Sequence, residues 1–387
     1  MRRKDFIKIC GLLGIAIPTH TILSACADDN VPALKDQKVI VIGAGPAGMS
    51  AAYLLTQRGI EVQVLEANSY HGGRIIRNTE FADFPIPLGA EWLHVDRGIF
   101  DEIVNDTSTP IEIKTTPYNA DEDYGLFNGE RISVEQVGFT IDQKFINATW
   151  FDFYETYVVP DIISLIKYNT VVTTINYTDD QIVVSTQNES FVADKVIITV
   201  PVKLLQNESI LFEPPLPSDK VQAIQNVKVW DGCKAFIVFS EKFYPAFTAF
   251  EITPESDGQK LYYDAAYGQN SDQNVLGLFA VGTGTQPYVD LSDTELISYI
   301  LDELDQIYDG QASRFYLKHI FQNWNTAQFA NGAYIYDQEN WRTVRTLGES
   351  INNKLFFAGD GYTTGEDWSS VHAAARSARR AVDEILD

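Results

Sequence analysis

Gly43-Ala44-Gly45-Pro46-Ala47-Gly48 lies between a strand-length apolar run, residues 39–42, and a stretch with helical spacing, residues 46–57. At this spacing the three glycines have separate uses. Gly43 permits a tight turn, Gly45 lets a ligand's phosphates approach the backbone, and Gly48 lets helix and strand pack closely. A helix opening at Pro46 would aim its free amides, Ala47 among them, at negative charge. Residues 61–65 form a second apolar strand leading to Glu66, about twenty positions past the first glycine, where a carboxylate accepts hydrogen bonds from a ribose. The chemistry these residues can do is to hold a dinucleotide.

Further reactive types follow. Glu66-Ala67 continues to Gly72-Gly73-Arg74, and the planar fork of Arg74 suits bidentate contact with phosphate. Gly89-Ala90-Glu91-Trp92-Leu93-His94 joins a carboxylate, an indole and an imidazole in one short run. Lys234 opens an apolar strand through residue 239. Trp324, Gly332-Ala333-Tyr334, Phe357-Ala358-Gly359-Asp360 and Ser370-Val371-His372 complete the set.

Together these segments resemble the flavin-containing amine oxidases, the monoamine and polyamine oxidases in particular. The resemblance implies FAD held non-covalently, because Ala333 stands where monoamine oxidases carry the cysteine that bonds the cofactor. It places Gly73 and Arg74 at the pyrophosphate, the Val172 backbone at the adenine, and Asp360 at the ribityl chain in place of a glutamate. Gly89, Ala90, Glu91, Trp92, Pro201 and Gly359 fall on cofactor-contacting segments, and the Val371 amide would face the flavin pyrimidine. By the same resemblance Lys234 holds a water against flavin N5, Trp324 packs on the isoalloxazine, and Tyr334 is one wall of an aromatic cage. His94 is the candidate for recognising a substrate amine. Ser370 departs from the pattern, standing where relatives carry the second cage tyrosine.

These pieces need a divided scaffold. The expected fold class is α/β: a Rossmann-like FAD-binding domain interrupted by an α+β substrate domain with a mixed sheet. The FAD-binding domain is drawn from residues 37–93, 168–215 and 345–387, and the substrate domain from residues 94–167 and 216–344. Residues 78–168 read as aromatic, acidic and loop-rich, with one helical stretch over 145–166 broken at Pro160. Strands are expected over 171–175, 181–185 and 191–200, then 235–239 and 275–281, with a helix over 294–307. A strand over 355–358 and a helix over 369–386 close the chain.

Of the 387 residues 45% are apolar and 12% aromatic, which suits a globular protein. The net charge of −24 argues against nucleic acid as a partner and favours cationic ligands. Residues 1–25 read as a signal segment, with Arg2, Arg3, Lys4 and Lys8 ahead of an apolar stretch too short and interrupted to span a bilayer. Leu23-Ser24-Ala25-Cys26 resembles a bacterial lipobox, so Cys26 would carry a lipid anchoring the chain through a tether, residues 26–36. The Arg2-Arg3 start resembles a twin-arginine signal imperfectly. Export to the periplasmic or surface side of a bacterial membrane is the expectation. With Cys10 in the signal and Cys26 lipidated, Cys233 stands alone, and neither a disulfide nor a metal site is expected.

The leading expectation is an oxidase of primary or secondary amines, with dioxygen as co-substrate. A desaturase or isomerase of the same fold and a non-enzymatic flavin-binding lipoprotein are the alternatives. An L-amino-acid oxidase is disfavoured, because the Gly89-Ala90 segment lacks the arginine that would bind a carboxylate.

Overall fold

The computed structural model describes residues 37–251 and 257–387. The expected signal segment, the Cys26 expected to carry a lipid and the whole of the expected tether, residues 26–36, lie outside the described residues.

Lys38–Ile42 reads Lys-Val-Ile-Val-Ile, and all but its first residue are buried. A continuous apolar run suits a strand covered on both faces, the situation of a central parallel strand. The sheet it enters has five strands, in the order Leu355–Phe357, Lys195–Ile198, Lys38–Ile42, Glu61–Leu65, Ile166–Lys167. Every pairing in it is parallel. Strand alternation divides the side chains between two cores. Val39 and Val41 pack with the helices Pro46–Gln57 and Val371–Leu386. Ile40 and Ile42 pack with Val172, Ile175 and Val184 of a four-stranded sheet on the other side.

Two expectations for residues 94–167 change. The helices Gly98–Val104, Trp150–Tyr157 and Val159–Ile162 bury Phe100, Trp150, Phe153 and Ile162 in the same core as helix Pro46–Gln57. The small residues of that helix let aromatic side chains sit close, and Ser50 Oγ lies 3.0 Å from the Tyr154 hydroxyl. This part of the assigned substrate segment therefore covers the nucleotide sheet. The helical break falls at Val158, not Pro160. Pro160 lies in the first turn of the next helix, where its missing N–H is no loss.

The second large sheet has seven strands, in the order Tyr316–Asn323, Gly232–Phe239, Asn274–Gly282, Gly258–Asp264, Phe247–Phe250, Asp123–Phe127, Ile132–Gln136. Its pairings are antiparallel except between Phe247–Phe250 and Asp123–Phe127. The last two strands come from the stretch expected to be loops. All of Gly232–Phe239 is buried. Ala235, Ile237 and Phe239 pack with Leu296, Ile300 and Leu304 of helix Asp293–Ile307. Phe236 and Val238 face the opposite core with Phe247 and Tyr263. Lys234 shares that second face by alternation, which turns its side chain away from the helix.

Candidate active site

The glycine turn is shaped by close contacts. Gly43 has φ +104°, and a Cβ there would stand 2.7 Å from Thr199 Oγ1. A Cβ on Gly48 would meet the Gly43 carbonyl at 2.0 Å. Gly48 is thus a packing glycine, and it does not line the cavity described next. Gly45 differs, since a Cβ there would meet no protein atom within 4 Å. The open side of Gly45 and the first-turn amides of helix Pro46–Gln57 form a cradle shaped for phosphate. Gly73 has φ +54°, and a Cβ there would stand 3.3 Å from the Gly45 α-carbon. The buried Glu66 carboxylate accepts from the amide of Ala44 at 2.6 Å and of Asn68 at 2.8 Å.

One cavity of about 740 Å³ joins this turn to the seven-stranded sheet. Gly43, Gly45, Ala47, Glu66, Ala67, Gly73, Arg74, Val172, Pro201, Gly359, Asp360, Ser370 and Val371 line it. So do Gly89, Ala90, Glu91, Trp92, His94, Lys234, Trp324 and Tyr334. An open cradle, a buried carboxylate for the ribose and a long cavity fit FAD. Cys233 also lines the cavity, and burial pushes its thiol up to about 12. At neutral pH it is therefore a protonated thiol.

Arg74 and Asp360 form a bidentate pair, with Nη2–Oδ1 2.6 Å and Nη1–Oδ2 3.3 Å. Arg74 Nη1 also donates to the Ala333 carbonyl. This joins the cofactor loop to the segment bearing Tyr334. Trp324 is fixed by donation from its Nε1 to the Leu88 carbonyl at 2.9 Å. Ser370 caps helix Val371–Leu386, accepting from the Ala373 amide at 3.1 Å, and its Oγ lies 3.1 Å from His372 Nε2. Serine at this position satisfies the helix terminus, which a tyrosine could not do. Ser370→Ala is expected to lower stability by about 1 kcal/mol in urea unfolding. An unchanged midpoint would show that the cap contributes nothing.

Around the substrate end the charges are paired in part. Lys234 Nζ donates to Glu91 Oε2 at 2.6 Å, and Lys144 Nζ lies 2.9 Å from Glu91 Oε1. Burial raises the Glu91 carboxyl, but the two lysines overcome this and hold it below the usual carboxylate range. Glu91, expected at the cofactor, is thus the partner of two lysines. His94 Nδ1 lies 2.8 Å from Asp142 Oδ1. Burial alone would depress the His94 imidazole, but Asp142, Asp367 and Asp337 raise it above its ordinary value. Asp337 also lines the cavity, and burial raises its carboxyl to about 6 against an opposing pull from His94. Burial and Asp337 push the Tyr334 phenol well up.

Sequence reasoning missed Asp337, Asp142 and Lys144. Asp337, three positions past Tyr334, could have been flagged as an acid closing an aromatic run. Asp142 and Lys144 carry no local signal, because their partners are far away in the chain.

A parallel sheet with a glycine turn at its first crossover, opening into a cavity shared with a mixed sheet, defines a dinucleotide-dependent oxidoreductase. A model for flavin-containing amine oxidoreductases matches residues 164–386, and one for NAD(P)-binding Rossmann-like domains matches residues 41–105. The chain belongs to the flavin-containing amine oxidoreductase family and is an FAD-dependent enzyme. Polyamine oxidase 2 of Arabidopsis thaliana is 24% identical, over 90% of this chain and 88% of the relative. Polyamine oxidase 1 of Zea mays is 23% identical, over 85% of this chain and 88% of the relative. A solved putrescine oxidase bound to putrescine shares the fold with a TM-score of 0.71 at 15% identity, over 90% of this chain and 99% of that one.

Proposed function

We infer that the protein is an oxidase of small primary or secondary amines, most closely suited to those bearing a second cationic nitrogen. The observation that carries this reading is one cavity lined both by the phosphate cradle and by Trp324, Tyr334, His94 and Asp337. The chemistry supplied by bound FAD is acceptance of a hydride equivalent from the amine α-carbon at N5, with dioxygen as final acceptor and hydrogen peroxide as product.

The chain's own residues bind, orient and exclude water. Gly45 and Ala47 would hold the pyrophosphate, Glu66 the ribose, and Arg74 the phosphates once it exchanges part of its pairing with Asp360. Trp324 and Tyr334 offer flat apolar faces on which an amine's carbon chain can lie. Tyr334 stays a neutral phenol and serves as a wall, not a proton acceptor. Asp337, with no hydrogen bond to another side chain in the described contacts, supplies negative charge for an ammonium. The polyamine oxidases among the relatives agree with that choice of substrate.

Anaerobic mixing with putrescine or spermidine is expected to bleach the flavin, and faster than mixing with benzylamine. Admitting air should then restore the colour and release peroxide in equal amount. Bleaching by none of these amines would sink the reading. Bleaching without peroxide would make the enzyme a dehydrogenase.

A further inference from the structure

Lys234 Nζ faces Glu91 Oε2 at 2.6 Å, the Gly89 carbonyl at 3.0 Å and the Pro87 carbonyl at 3.3 Å. Lys144 Nζ faces the Ala265 carbonyl at 2.7 Å, Glu91 Oε1 at 2.9 Å and the Asp264 carbonyl at 3.4 Å. An ammonium has three N–H donors, so protein acceptors engage the full capacity of Lys234, whereas Lys144 donates to two carbonyls and meets Glu91 Oε1 as an ion pair without a hydrogen bond. Lys144 and Lys234 are each 3% exposed and Glu91 is 5% exposed, so water screens none of these charges. Two cations around one carboxylate leave a net positive charge buried beside the cavity. Glu91 and Lys234 line that cavity, and Lys144 does not.

The other groups facing the cluster do not cancel this charge. The Tyr263 hydroxyl donates to Glu91 Oε2, and burial pushes its phenol well up, as it does for Tyr118. The Asp264 carboxylate is taken by Lys242 at 2.7 Å. The rings of Trp92, Phe236 and Tyr263 flank Lys234.

The geometry points to a division of labour unlike the lysine-held water implied by family resemblance. Held on the two oxygens of Glu91, Lys144 and Lys234 act on the bound flavin as one fixed positive charge; Lys234 has no proton left to hold a water, and Lys144 does not reach the cavity. Glu91 and Lys144 are positioning residues: Glu91 sets where the charge sits, and Lys144 makes it net positive. A charge fixed before reduction needs no reorganisation when the flavin becomes more negative.

The test is anaerobic dye-coupled potentiometry of the FAD-loaded protein and of its Lys144→Gln, Lys144→Arg and Lys234→Met variants. Lys144→Gln removes the surplus charge without touching the cavity wall. It is expected to move the flavin equilibrium about tenfold toward the oxidised form, or ~30 mV for two electrons, and to slow reoxidation in air, because the anionic superoxide formed in the first electron transfer to dioxygen loses its counter-charge. Lys144→Arg keeps the wild-type potential, and Lys234→Met shifts it in the same direction as Lys144→Gln. A wild-type potential and reoxidation rate in Lys144→Gln, beside slow reoxidation in Lys234→Met, would overturn the proposal in favour of a local role for Lys234.

Should Lys144→Gln fail to hold FAD, Glu91→Gln is the second variant. Burial draws the Lys234 ammonium down and Glu91 draws it up, so losing Glu91 brings its deprotonation toward the working range. Reoxidation should then slow as pH rises, and a flat profile matching the wild type would also overturn the proposal. The inference rests on the reading that amines are oxidised in this cavity, but reduction by dithionite needs no amine. Normal potential shifts in a protein that no amine bleaches would sink the substrate reading and leave the charge cluster standing.

Discussion

Gly45→Val is expected to yield a folded, colourless protein. Its added side chain would meet no protein atom near the Cβ, because Gly45 opens on the cavity. The branched side chain would instead occupy the space in which phosphate must approach the first-turn amides. Loss of FAD by a hundredfold or more in affinity is the expectation, at roughly 3 kcal/mol, with the apoprotein's thermal midpoint nearly unchanged. Gly48→Ala reverses the pattern. Its Cβ would stand 2.0 Å from the Gly43 carbonyl, so helix Pro46–Gln57 must move off the strand before any ligand is involved. Destabilisation by about 1–3 kcal/mol is expected for that variant even without cofactor. Absorbance at the flavin band, paired with apoprotein melting, measures both. A yellow Gly45→Val protein would remove the cradle from the account of FAD binding.

That contrast also shows what could be read from the chain alone. The turn between residues 39 and 66 was legible because every constraint in it is local: strand, turn, helix and second strand follow each other directly. Lys234 was placed at the flavin by the family resemblance alone; alternation along its strand is what turns it toward the cavity in the structure. Glu91 was read through its neighbours Ala90 and Trp92 as a cofactor contact. Its partners Lys144, Lys234 and Tyr263 come from three other strands, and no short window contains them. Ser370 was read as a missing aromatic, whereas its residue type already announced a helix cap. Residues 94–167, which hold the helices Gly98–Val104, Trp150–Tyr157 and Val159–Ile162, were assigned to the substrate side because their aromatic, acidic and loop-rich texture departs from that of the nucleotide-binding unit. These helices instead pack on the small-residue face of helix Pro46–Gln57, a match of shapes visible only once both are in place.

Asp337→Asn is expected to raise the KM for putrescine by about thirtyfold or more, while the KM for a monoamine of similar length changes little. The carboxylate lines the cavity and takes part in no hydrogen bond or ion pair among the described residues, the His94 imidazole acting on it only through space, so its oxygens are open to an ammonium. Burial holds its folded-state value at about 6, against an ordinary value of 3.8. In the free enzyme the attraction is therefore present above pH 6 and fades as pH falls through it. The diamine kcat/KM should drop on that acid limb, which the variant should lack. Stability runs the other way. Between roughly pH 4 and 6 the folded chain binds more protons at this site than the unfolded chain, so stability falls as pH rises across that window, and the deficit persists above it. The upward shift corresponds to ~3 kcal/mol at full burial, which solvent in the cavity reduces to about 1 kcal/mol. Asn carries no such penalty, so the variant should melt ~2 °C higher at pH 7.5 and no higher at pH 4. Poorer diamine binding combined with a higher melting point is the signature of a charge kept for recognition at the expense of the fold. An equal loss for monoamine and diamine would instead make Asp337 a scaffold residue of the Tyr334 loop.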